Sequence, residues 1–161
     1  MLVTGKIKPN KYDIVHTKTD IEIYFAENIK ENKENINGKE IITYDYDKYK
    51  TNILFRSDYK NFIEENQEML LERAKQEEKI KLSKKLREKR NQLLAESDCE
   101  MALDRLNVEI PDGNTFASWK PFFKALSEKL TGDWAKYRQA LRDLPSQEGF
   151  PYNVKFPEKP Y

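Results

Sequence analysis

The chain has 161 residues, of which 38% are hydrophobic and 35% charged, and its 29 Lys and Arg against 28 Asp and Glu leave a formal net charge of +1. That length suits one ordinary domain or two small ones, and the low apolar content limits it to modest cores beneath a well-solvated surface. Near-neutrality removes any general attraction to nucleic acid or an anionic membrane, so proteins are the expected partners.

The first residues, MLVTGKIKPNKYD, lack the basic-then-apolar pattern of a secretory signal, and no apolar run approaches membrane-spanning length. No membrane partner is expected. The single cysteine, Cys99, excludes an internal disulfide and fits a reducing cytoplasm, where a buried or half-buried thiol is expected.

Residues 11–55 read as β structure. Ile14 and His16, then Ile21, Ile23 and Phe25, alternate with polar or oppositely facing residues and are rich in β-branched and aromatic types. The polar run from Glu27 to Glu40 contains Asn37-Gly38, a dipeptide suited to a tight hairpin turn, and predicts an antiparallel pair of strands near Ile29 and Ile42. Ile41, Thr43 and Asp45 then share one face and Ile42, Tyr44 and Tyr46 the other. Such a head needs a helix or a partner surface to cover it.

From Asp58 to about Glu96 there is no Gly or Pro, and strong helix formers dominate. Ser57 or Asp58 can cap this helix. Phe62, Met69, Leu70 and Ala74 give one apolar stripe, and Leu82, Leu86, Leu93 and Leu94 a second. The almost wholly charged stretch between them predicts a solvent-bridging helix held at its packed ends.

Beyond Asp98, Asn107 and the run Pro111 to Asn114 mark a loop. Thr115 can cap a helix carrying Phe116, Trp119, Phe122, Phe123, Leu126 and Leu130, with Pro121 near its start. Trp134, Tyr137, Leu141 and Leu144 form a stripe on a last helix that Asp133 is placed to cap and Pro145 to stop. Trp119, Phe123, Trp134, Tyr137 and Leu141 are the expected core of this tail, which ends in an extended segment holding Pro151, Pro157 and Pro160. The whole is an α+β chain with a β-rich head (1–56), a long charged helix (57–96) and a C-terminal helical module (97–161).

Catalysis needs convergent groups, and these are scarce. His16 is the only histidine and has no neighbouring nucleophile, Cys99 has no second ligand at metal spacing, and carboxylates such as Asp45, Asp47, Glu64, Glu65, Asp98 and Asp104 fall in no cation-binding loop. Five glycines include no phosphate cradle. No catalytic residue, metal or cofactor is expected.

Two surfaces remain. The lysine-rich run Lys79 to Arg90 could bind nucleic acid, but interleaved Glu77, Glu78 and Glu88 favour a solvated helix face. Self-association through this helix stays open, though its leucines do not extend into three regular heptads. Tyr44, Tyr46 and Tyr49 are the candidate partner-binding residues, since tyrosine suits interfaces, and they serve equally well as cross-strand pairs.

The pieces Arg90-Asn91-Gln92-Leu93-Leu94-Ala95-Glu96-Ser97-Asp98, then Trp134 to Pro145 (WAKYRQALRDLP), then Gly149-Phe150-Pro151 and the closing Phe156-Pro157-Glu158-Lys159-Pro160 resemble the phage tail assembly chaperone domain. The resemblance covers about residues 80–161. An aromatic residue usually follows the Ser/Thr-Asp pair of that family, where this chain has Cys99, and the connection from Cys99 to Trp134 is long. The head, with Glu27-Asn28-Ile29 and Tyr44-Asp45-Tyr46-Asp47, resembles the N-terminal portion of such proteins in prophages of low-GC Gram-positive bacteria. The resemblance implies a non-enzymatic phage tail protein that binds a tail-fibre or baseplate protein, as assembly chaperone or virion connector, in the host cytoplasm or in the particle. Its motif residues here are Arg90, Asp98, Trp134, Tyr137, Arg138, Leu141, Arg142, Asp143, Pro145 and Pro151. Arg138, Arg142 and Asp143 are expected to bind the turn around Asp98 and the Pro-rich end, a folding staple more than a ligand site. The expected binding end is the head, by its tyrosines or by strand addition at an open edge. A nucleic-acid-associated phage protein is the alternative.

Overall fold

A computed structural model describes residues 2–36, 39–102 and 110–160. Among them it is an α+β structure with a four-stranded antiparallel sheet and four α-helices, divided into two compact units, Met1–Lys81 and Leu82–Tyr161.

In the first unit, β1 (Leu2–Gly5), β2 (Tyr12–His16), β3 (Asp20–Ile36) and β4 (Lys39–Leu54) lie in the order β1-β4-β3-β2. Alternation along β3 puts Ile21, Ile23 and Phe25 on one face, and the register sets them opposite Ile53, Thr51 and Tyr49 of β4. Tyr12 and Ile14 of β2 pair with Phe25 and Ile23 and extend that face. Helices α1 (Tyr59–Glu65) and α2 (Gln67–Glu96) cover it with Ile63, Leu70 and Ala74. Each fully buried aliphatic or aromatic side chain contributes about 1.5–3 kcal/mol, so this small cluster holds the unit together.

The single helix expected from Asp58 is broken at Asn66. The Asn66 side-chain amide donates to the Phe62 carbonyl at 2.9 Å and competes with the helix ladder, so α1 ends there and α2 starts again at Gln67. Ile63 of α1 is buried, whereas Met69, expected in the stripe, is exposed. Asp58 stands at the start of α1 without a capping bond, its carboxylate held by both Arg56 Nε and Nη2 at 2.6 and 2.7 Å.

The hairpin strands run 17 and 16 residues, far past the buried patch. Ile42 faces Lys33, and the pairing continues to Ile36 opposite Lys39; the Asn37-Gly38 turn lies outside the described residues. This polar half is held by the backbone ladder, not by burial. A register shift between Glu27 and Lys30 interrupts it, with Asn28 at φ +53°, a conformation that asparagine tolerates better than most residues. Asp45 ties three strands: its carboxylate accepts from Thr4 Oγ1 of β1 at 2.6 Å and from Asn32 Nδ2 of β3 at 2.7 Å. Those two hydrogen bonds, Thr4 first, hold the Asp45 carboxyl below the usual carboxylate range.

In the second unit the last turns of α2 are followed by a 3-10 turn (Asp98–Met101), α3 (Phe116–Thr131), α4 (Asp133–Asp143) and a 3-10 turn containing Pro145 (Leu144–Ser146). Tyr137, Leu141 and Leu144 are buried, with Leu93, Leu94, Trp134, Val154 and Phe156 packed around them. The stripe on α4 is therefore a core stripe. Two details differ from the sequence reading. Gly132, not Asp133, occupies the capping position of α4, and Asp133 instead meets Lys136 at 3.3 Å. Cys99 is exposed on the 3-10 turn, its thiol 3.5 Å from the Glu96 carbonyl.

The larger departure concerns α3. Thr115 caps it as expected, accepting from the Ser118 backbone N–H at 3.4 Å, and Pro121 sits inside it. Yet no residue of α3 is buried, and Trp119 and Phe123 are absent from the core that Trp134, Tyr137 and Leu141 form. Asp104 and Asn107 lie outside the described residues.

The Pro-rich end is fastened by side chains. Gln147 donates from Nε2 to the Lys155 carbonyl at 2.9 Å and accepts from the Lys155 N–H at 3.0 Å. Pro151 is buried, and Gly149 turns the chain at φ +84°, where a Cβ would come within 3.2 Å of Asn153 Cβ.

Arg138 closes the unit. Its Nη1 lies 2.8 Å from the Leu94 carbonyl, 2.6 Å from Ser97 Oγ and 2.7 Å from Asp98 Oδ1, and its side chain is 14% exposed. Ser97, itself 1% exposed, donates onward to the same Leu94 carbonyl at 2.8 Å.

Two outcomes follow from this packing. Arg138→Ala removes the charged donor shared by the Leu94 carbonyl, the Ser97 hydroxyl and the Asp98 carboxylate and lowers stability by about 1.5–3 kcal/mol, read by urea unfolding of the whole chain; an unchanged midpoint refutes the fork. Because the Asp45 carboxyl is lowered in the folded chain, its contribution is present above the unfolded value of about 4 and is lost as pH falls through the folded one. Melting temperature should drop between about pH 5 and pH 2, and Asp45→Asn should flatten that dependence.

Candidate protein-interaction site

The sheet has one face covered by α1 and α2 and one that no described helix covers. Strand alternation decides which tyrosines appear where. Tyr46 pairs with Val3 and Tyr44 with Gly5, on the face opposite the core. Tyr49 pairs with the buried Phe25, on the core face, where Lys75 Nζ of α2 stands 5.9 Å from its ring. Tyr44 and Tyr46 are thus brought together and Tyr49 is set apart from them; all three are half-buried.

The uncovered face continues from Tyr46 into a row that the sequence reading missed. Lys48 Nζ lies 4.4 Å and Lys50 Nζ 5.5 Å from the Tyr24 ring centroid. Tyr24 donates to Glu22 at 2.6 Å and Lys50 donates to it at 2.7 Å. Glu22 is held below the usual carboxylate range by Lys50 first and Tyr24 second, and its carboxylate pushes the Tyr24 hydroxyl up. The signal was available, since Tyr24 sits between the inward-facing Ile23 and Phe25 and must point the other way.

The strand edges are staggered. On β4, β1 pairs only with Tyr44 to Asp47, so the stretch from Lys48 to Leu54 has no strand beyond it among the described residues. Arg73 Nη2 of α2 fills part of that edge by donating to the Asn52 carbonyl at 2.5 Å. On β3, β2 pairs only as far as Phe25, which leaves the distal residues up to Ile36 open on that side. Both edges carry lysines, which discourage indiscriminate strand addition.

The motif residues of the C-terminal unit occupy two kinds of position. Trp134, Tyr137, Leu141 and Pro151 pack or are buried, with Trp134 edge-on to Tyr137 at 5.8 Å. Arg138 meets Asp98 as described, whereas Asp143 accepts from Gln139 at 3.0 Å and Arg90 donates to its neighbour Asn91 at 2.8 Å. Arg142 is exposed. In the basic run, Arg87 lies over the Phe150 ring at 5.9 Å and Lys89 over the Phe156 ring at 4.5 Å. Part of that run therefore covers the Pro-rich end, which lessens what it could offer a phosphate backbone.

Chemistry of other kinds finds little support. Among the described residues no cluster of His, Cys, Asp and Glu could hold a metal ion, and no helix is long and apolar enough to cross a membrane. His16 is exposed and stands edge-on to Tyr59 at 4.9 Å.

Neither a curated protein nor a solved structure matches the chain. One family model does, that of the phage tail assembly chaperone protein, over residues 83–161. The match takes in the end of α2, the Arg138 fork, α3, α4 and the Pro-rich end, so it is residues 83–161 that are similar to the phage tail assembly chaperone protein family.

Proposed function

We propose that the chain is a non-enzymatic tail protein that binds a tail-fibre or baseplate protein through its β-rich unit. The family match supports a role in phage tail assembly. The observation that carries the finer reading is the uncovered sheet face, where Tyr44 and Tyr46 stand beside the Tyr24, Lys48 and Lys50 row. Tyrosines backed by a rigid ladder offer large contact area at small entropic cost, and fixed charges beside them select the partner. In this reading the chain acts in the host cytoplasm during assembly, and the C-terminal unit supplies the family fold while the sheet supplies the partner's site.

Co-expression with the fibre and baseplate proteins of the same phage tests the reading by pull-down. Tyr44→Ala with Tyr46→Ala should weaken capture roughly tenfold or more without changing the melting temperature, while Tyr49→Ala, on the core face, should lower stability. Undiminished capture by the double variant refutes the sheet face as the site. Mass spectrometry of purified particles separates the two modes of action: stoichiometric presence means a connector, absence means a chaperone that leaves.

A further inference from the structure

Helix α3 is amphipathic and yet has no fully buried residue, with Trp119, Phe122 and Leu126 half-buried. With about 3.6 residues per turn, Phe116, Trp119, Phe122, Phe123, Leu126 and Leu130 fall on one stripe. Phe116 is 77% exposed, Phe123 49% and Leu130 61%. Exposure on this scale over one helix face is unusual for a chain with so little apolar material to spend.

The stripe is preorganised. Trp119, Phe122 and Phe123 meet edge-on or tilted, with centroids 5.8, 5.9 and 6.0 Å apart. The Trp119 Nε1 donates to the Gly113 carbonyl at 2.7 Å, and Ser118 Oγ donates to the same carbonyl at 3.2 Å. The indole is thereby fixed and its one polar group is satisfied without a partner. Rigid aromatic clusters of this kind are what protein interfaces use as anchors.

The charges around the stripe say what fits it. Lys120 borders it on one side and Lys129 on the other, while Lys124 and the one carboxylate of the helix, Glu128, lie further round, 3.8 Å apart. A second copy laid face to face would set lysines against lysines, which is repulsive. An anionic membrane would find only three lysines here and a nearly neutral chain behind them. The surface is convex and helical, so it suits a helix–helix contact. We propose that α3 is a docking face for an amphipathic helix of a partner protein whose apolar stripe is bordered by carboxylates. This site is separate from the sheet face and does not depend on it.

The test places the photo-crosslinking residue benzoylphenylalanine at Phe123 of the full chain in a host producing the phage, and sequences the adduct. The expected adduct is a peptide of another protein with apolar residues at helical spacing and a net negative charge. Combined Lys120→Glu, Lys124→Glu and Lys129→Glu should reduce it about tenfold with circular dichroism unchanged, and the purified chain should not sediment with phosphatidylglycerol vesicles. An adduct with a second copy, with residues of the same chain, with phospholipid or with a peptide lacking those features overturns the proposal, as does no adduct. Because the sheet-face variants leave α3 intact, loss of capture there and loss of the adduct here are independent results.

Discussion

Scarcity of apolar surface governs this chain. With 38% hydrophobic residues spread over two units, each core consists of a few side chains, and one helix lends its ends to both. Leu70 and Ala74 of α2 close the sheet's core, and Leu93 and Leu94 pack against Tyr137, Leu141 and Leu144. Over its whole length α2 has almost no amphipathic bias, because each apolar patch serves only its own unit. Polar devices supply what burial does not: Asp45 joins β1 to β3 through β4, Asn66 closes the end of α1 on the Phe62 carbonyl, and Arg138 gathers a carbonyl, a hydroxyl and a carboxylate at the end of α2.

Periodicity made most of the architecture legible. Ile21, Ile23 and Phe25 at period two, and Trp134, Tyr137, Leu141 and Leu144 at helical spacing, identified one core residue set in each unit. The α+β class followed. The break at Asn66 was hidden because asparagine competes for a helix carbonyl only through its side chain, an effect composition does not show. Trp119 and Phe123 were assigned to the core for a more general reason. Helical spacing states which residues share a face; it is silent on what covers that face, and α3 presents the same pattern as α4 with none of its residues fully buried.

The candidate surfaces were half legible. Tyr44 and Tyr46 share a face as their spacing required, but placing Tyr49 with them overlooked the odd offset that sends it to the core side of β4. Tyr24 was overlooked because it stands inside the strand's most apolar stretch, where attention falls on its buried neighbours. Among the charged motif residues, Arg138 and Asp98 tie separate elements together through their side chains, whereas Asp143 and Arg90 bond within their own helices. Type and spacing could not rank three charged neighbours that only the fold distinguishes.

The family match begins at Ser83, one residue after the second unit starts at Leu82, and both points lie inside a single uninterrupted helix. A helix is a forgiving place for a genetic join, since any two charged helical stretches continue one another without a new turn or a new cap. A crossover there would leave each core whole, since Leu70 and Ala74 stay with the sheet while Leu93 and Leu94 stay with Tyr137, Leu141 and Leu144.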